Sequence, residues 1–400
     1  RIDDLQVEDV TSVFLRDMLA QVDVRDYGAV GDGVTDDTTA FVAANADAQG
    51  RTVLVPKGVY LLNGDVTFDA PTRFEGTVTM PVAAVLLLRQ NFDLPHYIDA
   101  FDNEEIAFRK AFQALLNNAD HDSLDLGGRK VSVTGPIDMQ AATPERTSYS
   151  TRPVGALVTG GGVGREIYVR SKNIATKEIT LNAPLFDAAG TQNFSFSRFQ
   201  YMLDFSNYSS LSKFVLSDVE LQCNNVASAI NLAPAGTIFH VRDCFISRPK
   251  DRGITSSGGG CQGMFVDRCQ FLSSEDAMAV SDRKSIAINC NANDVKLRDN
   301  RATRFRHFAL LGGQNNIVTG NHFCQGDTVN NGVRSAGLII AAQHTASVIS
   351  GNYVDNCFIE WTNEQDAAPE YSSEYSFSAL SITGNIFLSG EVAPWFSYIV

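Results

Sequence analysis

The segments "VTGNHFC" (318–324), "ISGNYVD" (349–355) and "ITGNIFL" (382–388) repeat one pattern, alternating apolar positions on either side of a Gly-Asn turn. The same register reads back through "LRDNRAT" (297–303), "VDRCQFL" (266–272), "VRDCFIS" (241–247) and "LSDVELQC" (216–223). Aligned on their central position they give Val219, Cys244, Cys269, Asn300, Asn321, Asn352 and Asn385, separated by 25, 25, 31, 21, 31 and 33 residues. Period-2 strands broken by Asn, Asp or Gly turns at this spacing predict an all-β solenoid, a parallel β-helix whose coils each bury an inner face only against the next coil. Like residues then stack on like. The four asparagines predict an amide ladder inside a turn, each amide satisfying its neighbour, with Cys244 over Cys269 as a buried step below it.

The totals agree with a large core and exclude some partners. Of 400 residues 44% are hydrophobic and 20% charged, so the chain is neither disordered nor fibrous. A net charge of −14 argues against nucleic acid. The longest apolar run, "MPVAAVLLL" (80–88), is too short to insert into a membrane. Charge is uneven: twelve Lys/Arg face eight Asp/Glu between Arg242 and Arg306, whereas residues 335 to 400 carry seven acids and no Lys or Arg. A locally basic middle on an acidic protein suits an anionic ligand such as an acidic glycan. Seven cysteines without a CxxC pair predict reduced, buried thiols rather than zinc ligands or a disulfide framework.

A solenoid needs its first coil covered, and "DYGAVGDGVTDDTTAF" (26–41) reads as that cover. Asp36-Asp37-Thr38 reads as a helix start with capping carboxylates, and Gly28, Gly31 and Gly33 as a turn needing positive φ. The following "LVPKGVYLLNG" predicts two short strands about a Pro/Gly turn. This opening resembles that of pectin lyase-like right-handed β-helix proteins, a superfamily that includes polygalacturonases, alginate epimerases and bacteriophage tailspikes. The resemblance implies a right-handed coil plugged by N-terminal capping helices.

Shifted by 71 residues, the opening recurs: Phe41 falls on Phe112, Val55 on Leu126, Gly64 on Gly135 and Phe68 on Met139. The second copy carries Phe108, Ala111, Phe112, Leu115 and Leu116 on one helical face. We therefore expect a docking segment at 1–24 with a short helix over 8–20, a small neck-like module at 25–102, and the β-helix at 103–400. Doubling of this kind resembles phage tailspikes, which implies a homotrimer and a virion tail protein as partner of the N-terminal segment. The first residue, Arg1, reads as the start of a processed form or excised fragment. The apolar ending "APWFSYIV" predicts either further coils or cover by other chains.

Chemistry on such a fold arises where side chains line up across coils. The strands after each turn read "KDRGIT" (250–255), "SEDAMAV" (274–280), "FRHFALL" (305–311), "RSAGLII" (334–340) and "NCFIEW" (356–361). With Ile254, Met278, Ala309, Leu338 and Ile359 aligned as inward residues, one outer column stacks Asp251, Glu275 and Arg306, and its neighbour stacks Arg252, Asp276 and His307. Adjacent coils lie about 5 Å apart. Glycosidic cleavage uses one protonated and one ionised carboxyl, and like-charged neighbours push their pKa values apart. Asp251, Glu275 and Asp276 with His307 are thus the catalytic candidates, and Arg252, Arg306 and Arg334 the candidates for binding sugar. A second candidate site is "FIEWTNEQDAAPEYSSEY" (358–375), where Glu360, a further catalytic candidate, points outward and Trp361 and Tyr371 offer faces to sugar rings.

The order Asp251, Glu275-Asp276, His307, Arg334 is similar to that of polygalacturonases. Their Asn-Thr-Asp, Gly-Asp-Asp, Gly-His-Gly and Arg-Ile-Lys motifs are replaced here by "KDR", "SED", "RHF" and "RSA". The resemblance implies a tailspike-like protein, on a virion tail or otherwise extracellular, that hydrolyses a bacterial capsule or lipopolysaccharide O-chain without a cofactor. Two alternatives stay open: a lyase or epimerase on the same fold, the lyase calling for Ca²⁺, and a fibre or adhesin that only binds glycan.

Overall fold

The structure is a computed structural model that describes residues 20–117, 123–135, 137–139, 155–185, 190–208, 210–256, 260–326, 335–342, 345–364, 378–390 and 397–400. The helix expected over 8–20 lies outside them, apart from its last residue. The chain forms two compact units, Arg1–Gly135 with Met139–Thr147, and Pro136–Asp138 with Ser148–Val400.

In the first unit, helix α1 (Thr38–Ala48) buries Phe41 against Tyr60 and Phe68, with ring centroids 5.3 and 6.1 Å away. The two predicted strands are Thr52–Val55 and Val59–Leu61. The expected cap is divided differently between the two aspartates. Asp37 occupies the N-cap position without making a capping bond, and its carboxylate instead accepts from the Val30 and Gly31 amides at 2.7 and 3.2 Å. Asp36 takes the helix side, accepting from the Thr38 amide at 3.1 Å and the Asn63 amide at 3.3 Å. Gly31 sits at φ +70°, where an added Cβ would meet the Tyr60 ring at 2.8 Å, so both conformation and space demand glycine there.

Helices α2 (Leu94–Phe101) and α3 (Glu104–Asn117) follow. Asp93 caps α2 by accepting from the His96 amide at 3.0 Å. Ala107, Ala111 and Ala114 of α3 share one core with Phe41, Tyr60 and Tyr97. Thus α3, expected to open the long coil, belongs to the first unit. The second copy of the opening keeps its helix but not its strand pair: among described residues 123–135 the only pairing is an Asp93–Asp125 bridge.

The second unit is the predicted parallel β-helix. One eight-stranded sheet runs Phe358–Trp361, Ala336–Ile340, His307–Leu311, Ile286–Cys290, Arg252–Ser256, Ser228–Asn231, Tyr201–Asp204 and Ile137–Asp138, every neighbour parallel. Two further parallel sheets complete each coil. The register stacks three inner columns: Leu203-Ile230-Ile254-Ile288-Ala309-Leu338-Ile359, then Val241-Val266-Leu297-Val318-Ile349, then Leu221-Ile246-Phe271-Ala302-Phe323-Val354. All of these side chains are buried. Aligned aliphatic and aromatic residues at the strand spacing fill the coil as a continuous core.

The asparagine ladder is present as expected. Nδ2 of Asn300, Asn321 and Asn352 donates to Oδ1 of the next asparagine at 2.9 Å, and each backbone amide donates to the same oxygen at 3.0 Å. The second N–H of each amide reaches a strand carbonyl, Val266, Leu297 or Val318, at 2.8–2.9 Å. All seven cysteines are free, six of them buried. Cys269 opens the ladder, its amide donating to Asn300 Oδ1 at 2.9 Å. At the other end of the first sheet, residues 398–400 pair with the strand Phe358–Trp361, with Ile359 N donating to Tyr398 O and Val400 N to Ile359 O, each at 2.9 Å. No helix among the described residues is long and apolar enough to cross a membrane.

Candidate functional site

The expected inner alignment holds at Ile254, Ala309, Leu338 and Ile359 and fails at Met278, whose place is taken by Ile288. The reason is a loop. Residues 273–285 form no strand, Met278 is 43% exposed, and the strand begins only at Ile286. "SEDAMAV" therefore leaves the coil instead of lining it. In consequence Ile286, not Asp276, stacks between Arg252 and His307, and Ser285, not Glu275, lies in line between Asp251 and Arg306.

The loop nonetheless brings Glu275 back. Its carboxylate accepts from the Lys284 amide at 2.9 Å and the Ser285 amide at 2.8 Å, which orients it on the flank of the sheet. Asp251 sits beside it, half-buried. Burial pushes the Asp251 carboxyl above its ordinary value; Arg252, Lys250 and Lys284 oppose this, and the Glu275 charge adds to it. Arg306 completes the group: its Nη1 donates to Val280 O at 2.6 Å, and burial and the Arg165 charge lower its pKa. Asp276 is exposed and contributes only its carbonyl, which accepts from Arg304 Nη1 at 2.8 Å.

His307 is buried beneath this group. Nδ1 meets Ala336 O at 2.7 Å and so carries the proton. Burial, with the Arg165, Arg306 and Arg252 charges, lowers its pKa to about 3.

An antiparallel insert built from Leu157–Thr159, Ile167–Asn173, Glu178–Leu181 and Ser195–Ser197 lies against the outer face of this sheet. Glu166 of the insert binds Arg252 through two hydrogen bonds, Oε1 to Nη2 at 2.6 Å and Oε2 to Nε at 3.1 Å. Asn289 Nδ2 donates to the same Oε2 at 2.8 Å, and the Tyr168 hydroxyl donates to it as well. Both partners of the ion pair are below a tenth exposed. Arg252 is therefore enclosed rather than open to a sugar. The adjacent Arg165 holds both Glu360 and Glu364, the latter at 2.8 Å. Burial works against the Arg165 charge, and the two carboxylates more than offset it. A hollow of about 430 Å³ opens beside this contact, between Leu157–Thr159, Val163–Glu166 and Glu364.

Glu360 thus points outward as expected, with Trp361 half-buried next to it. Arg334 and Tyr371 lie outside the described residues. The insert's residues Arg165, Glu166 and Tyr168 escaped the sequence reading, although the alternation in "EIYVR" (166–170) after a glycine turn is a strand signal. Among the described residues no three His, Cys, Asp or Glu side chains cluster to hold a metal ion.

Comparison with known proteins gives four findings. Residues 21–140 match the family "Rhamnogalacturonase A/epimerase, pectate lyase-like", so the resemblance of the opening holds over that stretch. An exopolygalacturonase of Arabidopsis thaliana is 42% identical over 78 residues, covering 19% of this chain and 16% of that enzyme. Among solved structures, the surface adhesin PfbA of Streptococcus pneumoniae is similar over 95% of this chain and 81% of its own, with 14% identity and a TM-score of 0.30. The tailspike of E. coli bacteriophage HK620, solved also in complex with a pentasaccharide, is similar over 92% of this chain and 56% of its own, with 12% identity and a TM-score of 0.27.

Proposed function

We propose that this chain binds and endo-hydrolyses a bacterial surface polysaccharide, capsule or lipopolysaccharide O-chain, with Asp251 as general acid and Glu275 as the partner carboxylate. The observation that carries the reading is Asp251 itself. It is a half-buried carboxyl, raised by burial and by its Glu275 neighbour, at the edge of a sheet flanked by arginines. Two neighbouring carboxyls whose surroundings differ in this way suit acid–base cleavage of a glycosidic bond. The oriented Glu275 supplies the second group, and Arg306 a cation beside it.

In this reading the protein works outside the bacterial cell, as a tailspike-like homotrimer whose N-terminal segment joins a virion tail. The pairing of Glu360 and Glu364 with Arg165 favours the alternative of glycan binding alone, because it withdraws two acids from chemistry.

Incubation with purified capsular and O-chain polysaccharides, followed by sizing of the products, tests the reading. We expect shorter chains with new reducing ends. Ultraviolet absorbance from an unsaturated sugar would show elimination instead. Retained binding at unchanged length would refute cleavage.

A further inference from the structure

We propose that Arg252 is a positioning residue that sets Asp251 and Glu275 relative to each other across adjacent coils, with Glu166 of the insert as its counter-ion. The inference rests on reading those two carboxylates as the working pair, and it moves Arg252 from contact with sugar to control of geometry.

Arg252 Nη1 donates to Asp251 O at 2.8 Å and to Lys284 O at 3.0 Å. Asp251 bears the first carboxyl. Lys284 supplies one of the two amides that hold the second, since its N–H donates to Glu275 Oε2 at 2.9 Å. A single nitrogen therefore bonds to the residue carrying one carboxyl and to the residue orienting the other. The Asp251 carbonyl also accepts from Ile286 N at 3.0 Å, so Arg252 grips the point at which the two coils are already joined.

The remaining guanidinium N–H groups explain why the fork stays in place. Nε and Nη2 engage Glu166 at 3.1 and 2.6 Å, and the Phe199 ring lies 4.7 Å from the guanidinium carbon. A planar fork with fixed donor directions can meet a carboxylate on one edge and two carbonyls on another; a lysine ammonium cannot span both. The site needs such a tether because the loop between Ser273 and Ser285 leaves the strand ladder and has no sheet register to fix it.

The test compares the wild-type chain with Glu166→Gln/Arg252→Met, which removes both charges together and leaves an acceptor for Asn289 and Tyr168. Hydrogen exchange followed by mass spectrometry or NMR is the first readout. We expect the Lys284 and Ser285 amides to exchange at least about tenfold faster while Ile288 and Ala309 stay unchanged. On a glycan that the wild type cleaves, kcat should fall about ten- to a hundredfold with KM within about twofold, and the acid limb of the pH profile should move. Unchanged exchange at Lys284 and Ser285 overturns the inference whatever the glycan assay gives. Faster exchange with full kcat and an unmoved pH profile overturns it too. If the wild type cleaves no glycan, the proposed function fails and exchange alone decides this inference. Should the double variant not fold, Arg252→Lys keeps the charge against Glu166, gives up the fork, and is read in the same way.

Discussion

The Arg165 guanidinium lies 2.8 Å from the Glu364 carboxylate and also grips Glu360, so one cation of the insert bridges two acids of the coil nearly two hundred residues further on. Removing it leaves two partly buried carboxylates facing each other. Arg165→Ala should lower stability by about 2–4 kcal/mol, as for loss of one member of a partly buried charged network. Urea unfolding measures this, and Glu360→Gln with Glu364→Gln in the same chain should recover much of the loss. A single variant as stable as the wild type would show that the insert is not held by this contact.

The asparagine ladder predicts a gradient of cost. Asn321 is fully buried, donates to Asn352 Oδ1 and Leu297 O, and accepts from the Asn300 amide groups. Asn321→Ala leaves the Asn300 donors without their acceptor and takes a donor from Leu297 O and Asn352 Oδ1, and it should cost about 2–4 kcal/mol. Asn385 is only half-buried and stands at the end of the described ladder, so Asn385→Ala should cost about 1 kcal/mol. Equal losses at the two positions would contradict stacking as the source of the stability.

His307 makes stability depend on acidity. Its folded pKa is lowered to about 3 by burial and by neighbouring arginines, against an ordinary value of 6.5. Between those limits the unfolded chain binds a proton that the folded chain does not, so stability falls as pH drops through that window. The slope contributed by this one group is at most about 1.4 kcal/mol per pH unit. His307→Gln should flatten the pH dependence of urea unfolding between these limits; an unchanged slope would mean that His307 is already charged in the folded protein.

The coil was legible wherever periodicity was unbroken. Val241, Val266, Leu297, Val318 and Ile349 could be stacked from their alternation alone, and the ladder from four Asn-containing turns. The misplacement of Met278 has a physical cause: the residues "SEDAMAV" alternate like a strand but lie in a loop, and only the pairing of Ile254 with Ile288 shows where the ladder resumes. Asp251, Glu275, Arg306 and His307 still come together, since a loop anchored at both ends returns to the same flank. Arg252 read as a ligand-binding cation because its partner, Glu166, is 86 residues away in an insert that the repeat does not contain. Long-range ion pairs leave no periodic trace.

The most direct test of the account is the rate at which reducing ends appear from a bacterial surface polysaccharide with Asp251→Asn and with Glu275→Gln. Loss of a general acid or base typically costs about 10²–10⁴ in rate, and we predict a loss in that range for each variant, with glycan binding and thermal unfolding retained. Full activity in both variants would contradict the assignment of these two carboxylates.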